Sequence, residues 1–278
     1  MEEKLLKITD ARILSTSQFS HMCNTSMQVG RRWLRRLQAS GYITKKPVPL
    51  SGKRGRSEQV FSLTGKGFRK LKEAKRLASR AREEECLANG ISINHQMLLN
   101  SIRVAFTQTV QNNPLIKVQF LAFNSPLNQS IRERVPIDPQ QTTFRDFEPD
   151  ATVCLQRRTD SCLFYVEADC GTESLKSNNP NGLSEKIINY SIQRGLSAHM
   201  HWEKKFGKLK QGFRVLFVTQ DTLRAQQIVR LLGNYTNSDF IWTSDIKSMQ
   251  AKGIEAKIWS KGGHVEPRYS LFDSIEGS

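Results

Sequence analysis

Residues Glu148–Gly171 read EPDATVCLQRRTDSCLFYVEADCG, and their pattern is that of two strands joined by a turn. Ala151–Leu155 is one strand, Arg157–Asp160 the turn and Leu163–Asp169 the returning strand. A period of two puts Tyr165, Glu167 and Asp169 on one face, and Phe164, Val166 and Ala168 on the other. Asp150, after Pro149, heads the first strand. The hairpin therefore gathers three acids. Burying them costs free energy unless a cation compensates. Ligands that are all oxygen favour a hard ion, Mg2+ or Mn2+, so Asp150, Glu167 and Asp169 are the expected metal ligands. Such an ion can polarise a phosphodiester and activate a water.

Working outward, Ser184 is placed to cap a helix after the loop Asn178–Gly182. Lys186 and Tyr190 stand one turn apart on it and share a face. A lysine beside a metal-bound phosphate can steady the developing charge, and Tyr190 can position the strand. Water, or Tyr190 or Tyr165 as a covalent nucleophile, are both open routes. Helices over His95–Gln111 and Thr222–Leu232 alternate with strands over Ile116–Phe123, Gly212–Thr219, Phe240–Trp242 and Ile254–Trp259. That alternation predicts an α/β domain over residues 91–278 with a mixed central sheet. Weaker signals are His199 and His201, which could assist a metal or touch phosphate but are more commonly surface histidines, and the lysines 204, 205, 208 and 210, equally read as a solvated loop or as contacts along DNA.

Residues 1–90 have a different character. Thr9-Asp10 can cap a short helix through Ile13 and Leu14. Ser17 can cap a second helix to Cys23, and Asn24-Thr25-Ser26 can cap a third over Met27–Gln38. On the third helix Val29, Trp33, Leu34 and Leu37 face one way, and Gln28, Arg31, Arg32 and Arg35 the other. Strands over Tyr42–Lys46 and Gln59–Leu63 flank a turn bearing Lys53, Arg54 and Arg56, and Thr64 opens a long helix to about Asn89. Three helices and a hairpin with a basic tip describe a winged helix-turn-helix. Its third helix would read base edges of double-stranded DNA through Gln28, Arg31, Arg32 and Arg35. Lys53, Arg54 and Arg56 would meet phosphate.

Charge agrees with that division. The 278 residues hold 42 Lys+Arg and 26 Asp+Glu, a net of +16, and residues 1–80 alone carry 19 bases and 5 acids. A basic domain beside a near-neutral one suggests a grip on a polyanion. Hydrophobic residues at 38% support real cores. No membrane-length apolar run and no secretory signal is present. The five cysteines include no C-x-x-C, which speaks against a disulfide framework or zinc knuckle and for a soluble cytoplasmic protein.

Pro149-Asp150, then Glu167-Ala168-Asp169, then Lys186-x-x-x-Tyr190 resembles the PD-(D/E)xK nuclease core. The wider series VFSLTGKGFRKL (Val60–Leu71), HQMLLNSI, EPDATV, FYVEADCGTESL, SEKIINY, RVLFVTQD, FIWTSD and AKIWS resembles the replication-relaxation family, which includes the MobC-type relaxases of mobilisable plasmids. The resemblance covers nearly the whole chain. It implies a winged helix joined to a restriction-endonuclease-like domain that nicks one DNA strand at a transfer or replication origin, with other mobilisation or coupling proteins as partners. Catalysis would fall to Asp150, Glu167, Asp169, Lys186 and Tyr190. Two departures stand out: Asp169 occupies the position of the pattern's lysine, and the helix from His95 carries no acid. They leave a second reading, a non-catalytic DNA-binding accessory protein or repressor.

Overall fold

The computed structural model describes residues 1–47, 59–128, 133–136, 143–158, 160–172, 175, 182–196 and 198–273. They form a mixed α/β structure in two compact units. The first comprises Met1–Thr107 and Asn124–Gln129; the second comprises Gln108–Phe123 and Ser130–Ser278.

The first unit opens with α1 (Glu2–Ala11), β1 (Ile13–Ser15), α2 (Thr16–Met22) and α3 (Met27–Ala39). The helix expected through Ile13 and Leu14 ends early. Arg12 takes φ 63°, and Asn100 Nδ2 donates to the carbonyls of Ala11 (3.1 Å) and Ile13 (2.6 Å). Ile13 and Leu14, both fully buried, are worth more as strand residues than as a frayed last turn. The second helix is capped by Ser15, not Ser17. Ser15 Oγ accepts from the Gln18 N–H at 3.3 Å, and Gln18 Oε1 accepts from the Ser15 N–H at 3.2 Å, a reciprocal capping box. Ser26 caps α3 by accepting from the Val29 N–H. The buried face of α3 runs Gly30, Leu34, Leu37. Gly30 is required there, because a Cβ would collide with Ser20 Oγ on α2.

Strands β2 (Ile43–Lys46) and β3 (Val60–Leu63) follow, giving an antiparallel sheet of order β1-β3-β2. The single long helix expected from Gly65 is in fact α4 (Gly65–Glu73) and a separate turn α5 (Glu83–Cys86). Lys75 adopts φ 53°, and the Arg76 N–H bonds back to the Leu71 carbonyl at 2.9 Å, a left-handed helix stop. Lys72 Nζ then gathers the carbonyls of Ser79 and Ala81. Helix α6 (Ile93–Asn112) begins in this unit and ends in the second.

The second unit has β4 (Ile116–Ala122), β5 (Glu133–Pro136), β6 (Phe144–Phe147), β7 (Ala151–Arg157), β8 (Asp160–Asp169), α7 (Leu183–Gly195), α8 (Glu203–Phe206), β9 (Leu209–Thr219), α9 (Thr222–Leu232), β10 (Ile241–Asp245), α10 (Ile246–Lys252), β11 (Trp259–Lys261) and β12 (His264–Tyr269). Seven strands make one mixed sheet of order β12-β11-β10-β9-β8-β7-β4. The central β8, β9 and β10 are parallel, and the outer pairs are antiparallel. Helices α7 and α9 cover one face, where Ile187, Tyr190, Ile228 and Leu232 pack on Tyr165, Phe213, Val215 and Phe217. That face receives Tyr165, Glu167 and Asp169, as the alternation requires. The hairpin β5–β6 has no clear signature in the sequence. Gly182, not Ser184, precedes α7, because burial of Leu183 draws the helix start back. The strand expected over Ile254–Trp259 begins only at Trp259, after a turn closed by the Ile258 N–H and the Ala256 carbonyl. Among the described residues no helix is long and apolar enough to cross a membrane.

Candidate functional site

The carboxyl end of a parallel strand is where open α/β sheets present ligand-binding groups. In β8 that end carries Glu167, which is 2% exposed. Tyr190 Oη donates to Glu167 Oε1 at 2.6 Å, and Lys186 Nζ lies 2.9 Å from Oε2. The four-residue spacing on α7 sets both donors on the face that meets β8. Asp150 Oδ2 accepts the Ala168 N–H at 2.7 Å, latching the head of β7 beside the same strand. Asp150, Glu167, Lys186 and Tyr190, all singled out in the sequence, lie near one another around the end of β8. The mouth is a cleft of about 300 Å³ lined by Arg145, Phe147, Glu148, Glu167, Glu185 and Lys186 among others.

Burial pushes the Glu167 carboxyl up to about 7 from an ordinary 4.5; the Lys186 ammonium pulls it back, and the Asp150 charge pushes it up further. Tyr190 is raised well above the usual phenol range, first by burial and then by Glu167. A carboxyl raised in the folded state contributes stability that is full below the unfolded value and lost as pH climbs through the folded one. Unfolding free energy should therefore fall as pH climbs from the ordinary carboxyl value of 4.5 to about 7 on account of this group. Glu167→Gln should flatten that stretch of the profile. Denaturant titrations of both proteins at several pH values measure it.

Asp169 departs from the expected role. It shares the strand face, but both of its oxygens are engaged. Oδ2 accepts from Arg224 Nε (3.0 Å) and Nη2 (2.9 Å), and Oδ1 accepts the Gly171 N–H. Arg224 lies in the first turn of α9, whose start is capped by Asp221. The acid in the lysine's position thus holds α9 to the sheet. Among the described residues no three His, Cys, Asp or Glu side chains gather as a metal-holding group, so the three expected ligands do not form one centre. A pair of carboxylates suits Mg2+ or Mn2+, which complete their shells with water and phosphate oxygens.

Several residues here were invisible in the sequence. Glu133 on β5 is buried and accepts from Trp202 Nε1 (2.8 Å), Tyr165 Oη (2.9 Å) and Gln193 Nε2 (2.6 Å). Burial raises its carboxyl, while those donors and His201 lower it. This network anchors the β5–β6 hairpin, whose Phe147 stacks edge-on against Tyr190 at 5.0 Å and whose Arg145 pairs with Glu185. A glutamate between Ile131 and Val135 was the available signal. Tyr165 and Tyr190 are both fully buried. His199 packs on Phe213, and His201 lies 3.7 Å from Glu133.

In the first unit, Gln28, Arg31, Arg32 and Arg35 are exposed on α3, opposite its buried face. Trp33 sits between Lys4 (4.4 Å) and Arg36 (5.1 Å). Lys53, Arg54 and Arg56 lie outside the described residues.

A family model described as replication-relaxation matches residues 5–205. No curated protein matches the chain. The matched span runs from α1 into α8 and includes Asp150, Glu167, Lys186 and Tyr190. By this match over more than half its length, the chain belongs to the replication-relaxation family.

Proposed function

We propose that this protein is a metal-dependent endonuclease that nicks one strand of DNA at a plasmid transfer or replication origin. The observation that carries the reading is that Glu167 on β8 and Lys186 on α7 meet at the cleft, with Tyr190 bonded to Glu167 beneath it and Asp150, just before β7, held to the neighbouring Ala168 N–H. Their order along the chain follows a PD-(D/E)xK nuclease, with Lys186 on the helix replacing a lysine at position 169.

On this reading the first unit is a winged helix-turn-helix that docks double-stranded DNA. Exposed arginines on α3 reach base edges in the major groove. Arg31→Ala and Arg35→Ala should each reduce discrimination between origin and random DNA by about 1–3 kcal/mol. Competition gel shifts with both duplexes check this, and retention of full discrimination by both variants removes α3 from that role.

In the second unit, an Mg2+ or Mn2+ ion held by Asp150 and Glu167 would supply Lewis acidity toward a phosphodiester and lower the pKa of a bound water. The protein's own groups do the rest. Tyr190 fixes one oxygen of Glu167. The other Glu167 oxygen is the one available to the ion. Lys186, partly exposed at the mouth, turns its ammonium from Glu167 to the phosphate and steadies the charge that develops there. Full burial of Tyr165 and Tyr190 favours water over a tyrosine as nucleophile. Lys186→Ala should slow nicking while calorimetric metal binding persists; an unchanged rate would take the lysine out of the mechanism.

The commitment of both Glu167 oxygens to Lys186 and Tyr190, together with the Asp169–Arg224 pair, favours the second reading, a DNA-binding accessory protein or repressor. Normal origin binding with no strand cleavage in either metal would identify it.

A further inference from the structure

We propose that the turn 201–208 of the second unit is a separate docking point for the sugar-phosphate backbone of DNA, independent of α3. His201, Lys204, Lys205 and Lys208 are exposed there. The one acid of the stretch, Glu203, is turned inward, where Oε1 accepts the Leu209 N–H at 3.0 Å. No acid pairs with Lys204, Lys205 or Lys208 among the described residues. The turn is built on a firm base. Trp202 and Phe206 are buried and stack at 5.3 Å with a 9° interplanar angle, and Lys205 Nζ lies 6.0 Å from each ring. Gly207 at φ 77° then turns the chain into β9. Three lysines in five residues are thus displayed on an ordered surface with no charge of their own to satisfy.

Such a surface complements a regularly spaced polyanion. It offers ammonium groups without planar forks, so it grips phosphate and reads no sequence. This inference rests on the proposal that the protein engages DNA.

The test uses the full chain with Lys204→Gln, Lys205→Gln and Lys208→Gln combined, beside the corresponding triple arginine variant. Fluorescence anisotropy gives affinities for origin and random duplexes over a range of NaCl. The expected result is equal weakening toward both duplexes and a salt-dependence slope shallower by about 0.9 for each phosphate no longer neutralised. The origin-to-random ratio should stay unchanged, and the arginine variant should restore the slope. A glutamine variant with the wild-type slope overturns the inference while leaving the DNA-binding reading intact. An unchanged slope on DNA combined with abolished binding to phosphatidylserine vesicles overturns it in favour of a membrane surface. A wild type that binds neither duplex overturns both the inference and the reading beneath it.

Discussion

Glu167→Ala is expected to abolish plasmid nicking, because the carboxylate proposed to hold the divalent ion is gone, while origin DNA is still bound with wild-type discrimination. The separation follows from the architecture. Glu167 lies on β8 of the second unit, and the arginines proposed to read bases lie on α3 of the first. Removing the carboxylate leaves Lys186 and Tyr190 without their 2.9 Å and 2.6 Å partner. Glu167→Gln preserves the shape of the site and separates loss of charge from local collapse. Nicking rates and gel shifts on the same preparations decide it. If both variants nick at the wild-type rate, the cleft is not the catalytic site.

Arg224→Ala should destabilise the protein by about 3–5 kcal/mol, because it leaves the Asp169 carboxylate buried without its guanidinium. Both partners are largely enclosed, at 12% and 4% side-chain exposure. Replacing Arg224 by Met and Asp169 by Leu together should cost much less than either alone, since no unpaired charge then remains. Asp169→Lys, which would match the PD-(D/E)xK pattern that the sequence resembles, should be severe, because it sets two cations against each other. Denaturant unfolding of the single and double variants measures all of these. Additive costs would show that the pair is not coupled.

The site was legible where its logic is local. Alternation along β8 puts Glu167 and Asp169 on the helix-covered face, and the four-residue step on α7 brings Lys186 and Tyr190 to it. What escapes is non-local. Arg224 stands 55 residues from Asp169, and nothing in the spacing of either residue names the other. Glu133 reads as one more charge in a run of charges until Trp202, Tyr165 and Gln193 close around it.

The fold shows the same division. Caps such as Ser26 and Thr64 are visible because the side chain and the N–H it accepts from lie three residues apart. Strand β1 reads as helix in the sequence because its partner β3 lies roughly fifty residues away. The break after α4 is hidden because a left-handed Lys75 lacks the glycine that usually announces one. Hairpin β5–β6 hides behind exposed residues on β6, which blunt the two-residue period.

The most direct measurement is the conversion of supercoiled plasmid carrying the origin to open circles by the purified full chain, with Mg2+ or Mn2+ and with a chelator. The expected result is a single-strand break that requires the divalent ion and disappears in Glu167→Ala. Tight, specific origin binding with fully supercoiled plasmid in both metals would contradict it.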